Sequence, residues 1–322
     1  MLKIHILPES LSNKIAAGEV VERPVSVVKE LVENSIDAKS TRIAIELNQS
    51  GTGLIQVSDN GIGMPKKDAL LSLERHATSK IVGVEDLFNI KTLGFRGEAL
   101  PSIASVSRME MITRSKENDS GTRITISGGR IEKVDETGAP IGTMISVRDL
   151  FFNIPARRKF LKSNQTELGQ ITDFITHTAL AYHDIHFTLI HNQSTIADWP
   201  ETNHISHRVA GVLGIKLWET MREINLQAED IQVSGFVSVT TNGFRSTKRG
   251  LYVYVNNRFI RDKVIYHAIM EAYKGRLMSG LFPVAIIFVA VSPAEVDVNV
   301  HPAKNAVRFA FPEKVHNAIV DA

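Results

Sequence analysis

The 322-residue chain contains no cysteine. That excludes disulfides, thiolate metal sites and a thiol nucleophile, and fits a reducing compartment. No apolar run is long enough to cross a bilayer; the longest, Phe282 to Val291, reads as a buried strand. The first ten residues, M-L-K-I-H-I-L-P-E-S, lack the apolar centre of a secretory signal. The sequence has no G-x-x-x-x-G-K-[ST], so a P-loop is not the source of any nucleotide binding. Internal repeats and low-complexity segments are missing too. These absences lead to the expectation of a cytoplasmic protein with no membrane partner. A large charge of either sign is also lacking, with 37 Lys and Arg against 35 Asp and Glu. Residues 206–322 hold 14 basic against 10 acidic side chains, a mild tilt toward a polyanion; the remainder holds 23 against 25.

What is present is ordinary for a globular protein, 43% apolar and 22% charged, with room for two cores. The pattern predicts a short helix over Leu11 to Ala17 that Gly18 ends. A longer helix follows over Pro24 to Ala38, with proline in its first turn. A strand–turn–strand signal covers Thr41 to Ser58, and a helix covers Pro65 to Arg75. Ala77 to Gly94 reads as a long functional loop. A helix over Gly97 to Ala104 precedes four strands between Arg108 and Val147. A helix over Thr166 to Ala181 and a hairpin over Phe187 to Trp199 complete an α+β sandwich, with helices on one face of a mostly antiparallel sheet. Pro200 to His204 has linker composition, which puts the domain boundary there, giving 1–204 and 205–322. The second part opens with a helix over His207 to Leu213. Strands over Ile231–Val239, Leu251–Val255 and Pro283–Val291, with a helix over Asp262–Lys274, make a smaller α/β domain with a crossover helix.

Three constellations carry chemistry. In the helix from Pro24, residues Val27, Val28, Leu31, Val32 and Ser35 share the apolar face, and Glu30, Asn34 and Asp37 the opposite one. An asparagine oxygen can bind a phosphate-associated Mg²⁺ without adding negative charge, and a carboxylate one turn away can activate a water. The same spacing also suits a solvated helix face. Asp59-x-Gly61-x-Gly63 can accept a hydrogen bond from an adenine amino group beside closely approaching backbone, or simply make a tight turn. Gly94-Phe95-Arg96-Gly97-Glu98 ahead of a helix offers free amides to phosphate, or is a plain glycine-rich connection.

In this order, E-L-V-E-N-S-I-D-A, D-N-G-I-G, G-F-R-G-E-A-L and Gly142-Thr143 resemble the ATP-binding motifs of gyrase, Hsp90, certain histidine kinases and MutL. Ile15–Pro24 (I-A-A-G-E-V-V-E-R-P), Arg75–Ile81 (R-H-A-T-S-K-I), Asn153–Leu161 (N-I-P-A-R-R-K-F-L) and Val296–Lys304 (V-D-V-N-V-H-P-A-K) narrow the resemblance to the MutL family of mismatch repair proteins, over essentially the whole chain. The resemblance implies a Bergerat-type (GHKL) ATPase domain followed by a domain like the second one of gyrase B. It implies Glu30 as general base, Asn34 as Mg²⁺ ligand, and Asp59 as the adenine-reading acid with Thr143 near it. Gly61 and Gly63 match the adenine-side loop. Thr78, Ser79 and Lys80 match the ATP lid, and Gly94, Phe95, Arg96, Gly97 and Glu98 its phosphate-contacting end. Lys304 matches a lysine that the second domain extends to the γ-phosphate. Residues 1 to about 20 correspond to an arm ordered on ATP-driven homodimerisation.

Sequence-independent DNA contacts are implied at Arg258, Arg261 and Lys263. The basic run Arg157, Arg158, Lys159 and Lys162 is open between DNA contact and structural pairing. The family also implies a mismatch-recognition partner, a downstream nuclease or helicase, and a further C-terminal dimerisation domain beyond this chain. The pairs His183/His186 and His204/His207 read as ordinary polar residues. Two functions stay in play: a slow ATPase driving a repair clamp, and an ATP-gated binding module in which hydrolysis is incidental.

Overall fold

Helix α1 (Pro24–Asp37) starts where Arg23 leaves extended backbone and Pro24 takes the first helical position. Its buried side, Val27, Val28, Leu31, Val32 and Ser35, is the apolar face expected from the sequence. Each fully buried valine or leucine there contributes ~1.5–3 kcal/mol of transfer free energy. The helix packs on β2 (Leu54–Asp59) and β1 (Arg42–Asn48). The computed structural model describes residues 17–18, 20–81, 83, 92–94, 96–297 and 307–322.

The chain divides into two units. One holds the residues up to Thr176 together with His183–Asn203; the other holds His177–Tyr182 with His204–Ala322.

The first unit is built on an eight-stranded sheet in the order β5-β4-β3-β6-β2-β1-β7-β8. The remaining strands are β3 (Arg108–Arg114), β4 (Gly121–Ser127), β5 (Arg130–Thr137), β6 (Gly142–Arg148), β7 (His186–His191) and β8 (Ser194–Trp199). Neighbours are antiparallel except β1 and β7, which run parallel with Ile43 opposite Phe187 and Ile45 opposite Leu189. Strict alternation in β1 buries Ile43, Ile45 and Leu47 on one face. The register of β2 against β6 sets Asp59 opposite Thr143. Helices α2 (Lys66–Leu71), α3 (Ala99–Ser105), α4 (Pro155–Lys159) and α5 (Asn164–Ala181) complete the elements, and the last turn of α5 belongs to the second unit. This is the α+β sandwich with a mostly antiparallel sheet expected from the pattern.

Two local expectations are corrected. Residues 17, 18 and 20 are helical, so the first helix does not stop at Gly18. A Cβ on Gly18 would lie 2.1 Å from Arg157 Nη2, and Arg157 Nη1 donates to the Val21 carbonyl at 2.8 Å. Glycine is there to admit a guanidinium, not to end a helix. Arg157 thereby takes a structural role, while Arg158, Lys159 and Lys162 are exposed. The helix expected to reach Arg75 ends at Leu71, where the Ser72 hydroxyl donates to the Ala69 carbonyl and the chain turns.

The second unit opens with α6 (Ile205–Leu213) and α7 (Ile215–Trp218). Its five-stranded sheet runs β13-β12-β15-β10-β9. These strands are β9 (Met221–Ala228), β10 (Ile231–Ser238), β12 (Leu251–Val255), β13 (Arg258–Phe259) and β15 (Ala285–Ala290); the short pairs β11 (Phe244–Arg245) with β14 (Phe282–Pro283) and β16 (Val296–Asp297) with β17 (Arg308–Phe309) stand apart. Strands β12 and β15 are parallel, joined through α8 (Lys263–Ala272), the crossover helix the sequence predicts. Asp262 caps α8, accepting from Val264 N at 2.8 Å and Ile265 N at 3.2 Å. Ile265, Ala268 and Ile269 of α8 share a core with Val315, Ala318 and Ile319 of α9 (Pro312–Asp321). Strand β9 was not expected. Among the described residues no helix is long and apolar enough to cross a membrane.

Candidate nucleotide site

Asp59 ends β2 with its carboxylate held by three donors. Ser35 Oγ donates to Oδ2 at 2.8 Å, and the amides of Gly61 and Thr143 donate to Oδ1 at 2.9 and 3.3 Å. Burial raises the Asp59 pKa above the usual carboxylate value, against the lowering pull of those hydrogen bonds. Behind it, the Thr113 and Thr143 hydroxyls lie 2.9 Å apart, and Met64 N donates to Thr113 Oγ1 at 2.9 Å. The turn after Asp59 requires both glycines. A Cβ at Gly61 would sit 2.7 Å from the Ala38 carbonyl oxygen; Gly63 has φ +63° and would put a Cβ 1.9 Å from the Arg114 carbonyl oxygen.

The second cluster lies at the far turns of α1. Lys80 Nζ donates to Asn34 Oδ1 at 2.8 Å and pairs with Asp37 Oδ2. Asp37 also accepts from the amides of Leu93 (3.0 Å) and Gly94 (3.2 Å). Asp37 and Lys80 are largely buried, with side chains 8% and 19% exposed. One carboxylate thus gathers Lys80, from the segment after Arg75, and Gly94, from the segment before α3. A further tie joins the same two segments: His76 N donates to the Gly97 carbonyl at 3.0 Å, and His76 Nδ1 lies 3.4 Å from Glu98 Oε1. Thr78 turns the chain locally, its hydroxyl accepting from Lys80 N at 3.2 Å, while Ser79 and Arg96 are exposed.

Glu30 stands on α1 one turn before Asn34, half-buried like it. The structure therefore gathers Asn34, Lys80 and Gly94 around Asp37, and Gly61 and Thr143 around Asp59. Phe95, Lys304 and most of the arm at 1–20 lie outside the described residues. Arg258, Arg261 and Lys263 belong to the second unit. There Arg261 lies 5.8 Å over the Phe259 ring and Lys263 opens α8, both exposed. Two residues of the site had no assigned role in the sequence reading, Asp37 and Ser35. The signal for Ser35 was a polar side chain on an otherwise apolar helix face.

Asn34 Oδ1 accepts from a cationic ammonium here, so its surroundings suit an electropositive partner such as a divalent cation. A buried acid whose orientation is fixed by three donors suits recognition of a base edge.

Residues 22–148 match the model of the histidine kinase-, DNA gyrase B- and HSP90-like ATPases, and residues 209–322 match that of the DNA mismatch repair protein C-terminal domain. The DNA mismatch repair protein MutL of Citrifermentans bemidjiense is 50% identical over 320 residues, which is 99% of this chain and 49% of that protein. MutL of Geobacter sulfurreducens is 49% identical over 99% of this chain and 52% of its own length. The chain spans about half the length of the curated relatives it matches. Among solved structures, the N-terminal domain of a DNA repair protein superposes with a TM-score of 0.82 at 25% identity, covering 96% of this chain and 95% of that one. The Aquifex aeolicus MutL ATPase domain complexed with ADP does so with a TM-score of 0.66 at 29% identity, covering 94% and 99%.

Proposed function

This chain belongs to the MutL family of DNA mismatch repair proteins and carries its ATPase domain, and from that premise we propose that it binds ATP in the first unit and hydrolyses it slowly to drive a repair clamp. The observation that carries the reading is the pair of prearranged clusters joined by α1, Asp59 with its three donors and Asn34 with Asp37 and Lys80. Asp59 accepts the adenine amino group. Gly61 and Gly63 let the base approach the backbone, with Thr143 beside it. The amides from Gly94 to Glu98 (Phe95 among them) receive phosphate oxygens at the mouth of α3. Asn34 would hold a magnesium ion, which when bound neutralises phosphate charge.

Glu30 acts as general base. It takes a proton from a water whose oxygen bonds to the γ-phosphorus while the bond to the β-phosphate bridging oxygen breaks, leaving ADP and phosphate. Lys80 shares Asn34 Oδ1, so whatever Asn34 binds competes directly with the stem of the lid formed by Thr78, Ser79 and Lys80. That competition gives nucleotide a differential interaction with two lid states, as any switch requires. The remaining assignments rest on family resemblance: Lys304 reaching the γ-phosphate, the 1–20 arm joining a homodimer, and coupling to a mismatch-recognition protein and a downstream nuclease or helicase; the boundary between domains 1–204 and 205–322 rests on the linker composition of Pro200 to His204. Arg258, Arg261 and Lys263 contact DNA phosphates without reading sequence.

The test is Glu30→Ala, assayed for steady-state hydrolysis and sized with a non-hydrolysable ATP analogue. Hydrolysis falls at least ~100-fold, the usual worth of a general base, while analogue binding and dimerisation persist. Hydrolysis at the original rate removes Glu30 from the mechanism and favours a binding module with incidental turnover.

A further inference from the structure

Three potential metal donors converge in the second unit, none of them given a role above. His267 and Glu271 are one turn apart on the exposed face of α8, and His316 is on α9. His267 Nδ1 and His316 Nε2 are 3.0 Å apart. Glu271 Oε2 is 3.3 Å from His316 Nε2 and 3.7 Å from His267 Nδ1. The same three atoms define all three distances, so they form one compact triangle. Donors bound at ~2.0–2.1 Å to a tetrahedral zinc ion lie about 3.3–3.4 Å from one another. The observed spacing brackets that value before any adjustment.

The rings face each other edge to edge, because their centroids are 5.3 Å apart while the nitrogens are 3.0 Å apart. The nitrogen edges, rather than the ring faces, therefore point at one another along one side of the triangle. Turning both rings toward Glu271 directs the two lone pairs to a common point. The tautomer is also prepared. His316 Nδ1 lies 3.3 Å from Asn317 Oδ1, and a proton donated there leaves Nε2 as the lone-pair nitrogen. An outer partner of this kind commonly orients metal-bound histidines. The two helices that carry the donors are packed together, with Ile265, Ala268 and Ile269 sharing a hydrophobic core with Val315, Ala318 and Ile319. An open cleft of about 430 Å³ adjoins, lined by Lys263, His267, Glu313 and His316 among others, with space for a fourth ligand from water.

We propose that His267, Glu271 and His316 form a zinc-class divalent metal site that cross-links α8 to α9. Two imidazoles and one carboxylate are borderline donors that favour zinc over magnesium or calcium. This site is independent of ATP binding and of the reading of the first unit. Its consequence is a metal-dependent anchorage of α9 to the rest of its unit.

The test uses the whole 322-residue chain, stripped with a chelator and titrated with zinc against a colorimetric competitor. Cobalt is then substituted for its visible absorption. The expected result is one tight equivalent of zinc, weakened at least ~10- to 100-fold, the range seen for outer-sphere losses alone, by His267→Ala, by His316→Ala and by Glu271→Gln. Zinc also raises the Tm of the parent chain and not of His267→Ala, whose exposed side chain leaves the core intact. Equal zinc uptake by the parent and the His267→Ala/His316→Ala double variant overturns the site, as does a parent chain that retains no zinc at micromolar concentration.

Discussion

Ser35 donates its hydroxyl hydrogen to Asp59 across 2.8 Å, from the buried face of α1 to the end of β2. The contact joins the helix that carries Glu30 and Asn34 to the acid proposed to read adenine. A hydrogen bond to a charged acceptor contributes ~1.5–3 kcal/mol, so this one helps the Gly61 and Thr143 amides to hold Asp59 and to lower its pKa against the raising effect of burial. Ser35→Ala raises the Asp59 pKa further. Adenine-nucleotide affinity then fails at a higher pH on acidification than in the parent. Titrating analogue binding from neutral to acid pH checks this, and coincident profiles reject the link.

Asp59→Asn separates binding from stability. Burial raises the folded-state pKa of this acid, so the folded protein holds the proton more tightly than the unfolded chain. Its contribution to stability therefore falls as pH rises from about 3.8 through the raised value, and stays lower above it. The substitution is expected to stabilise the first unit at neutral pH, with no gain below that window. Nucleotide binding weakens about 10- to 100-fold, the equivalent of one charged hydrogen bond. Thermal melts across pH together with binding isotherms test the two halves separately.

Asp37 is the acceptor for the Lys80 ammonium and for two amides, so Asp37→Ala leaves a cation and two N–H groups without it. Removing one partner of a buried ion pair costs ~3–5 kcal/mol. Urea unfolding in a Trp218→Phe background follows the first unit through Trp199 alone. A loss under 1 kcal/mol would class the pair with surface salt bridges. Restoration by Lys80→Met in the same chain would show the ammonium left without its carboxylate as the cause.

His177 supplies a second pH dependence, in the other unit. Its ring stacks on Phe259 at 3.8 Å, and burial, reinforced by the Arg261 charge, lowers its pKa to about 4. The unfolded chain takes up a proton near pH 6.5 that the folded unit refuses until about pH 4. Stability is complete above 6.5 and declines as pH falls through that interval, by ~3 kcal/mol at most at 1.36 kcal/mol per unit. His177→Gln flattens the profile. An unchanged slope in that variant assigns the acid sensitivity elsewhere.

DNA binding by Arg261 and Lys263 is checked by salt dependence. Each change to alanine should weaken binding to unrelated duplexes equally and lower the magnitude of the log-affinity against log-salt slope by ~1. Unchanged slopes for both would move the DNA surface away from this junction.

The amphipathic α1 was legible because Val27, Val28, Leu31 and Val32 repeat at helical period and Pro24 marks the start. The crossover α8 was legible for the same reason, with Asp262 as its cap. Strand β9 escaped because its sequence, M-R-E-I-N-L-Q-A, is an edge strand of which only Met221 is fully buried. Local pattern could not reveal what distant chain segments bring together. Gly18 read as a helix stop because its neighbour Arg157 lies more than a hundred positions away. Asp37 read as one more polar-face acid because its partners Lys80, Leu93 and Gly94 come from other segments. His267 and His316 went unnoticed because sequence spacing carries no metal signature when the ligands come from two helices.

The parallel pairing of β1 with β7 also constrains the order of folding. Strand β1 cannot gain its second neighbour until His186–His191 has been synthesised, long after the strand itself and the helix that packs on it. During translation the β1–β2 hairpin waits with one hydrogen-bonding edge exposed to any passing strand. Such long-range closure belongs to slow folding and to chaperone dependence. A nascent chain arrested before residue 186 should therefore be sensitive to protease across its ATP-site motifs, and one arrested well beyond residue 191 should resist.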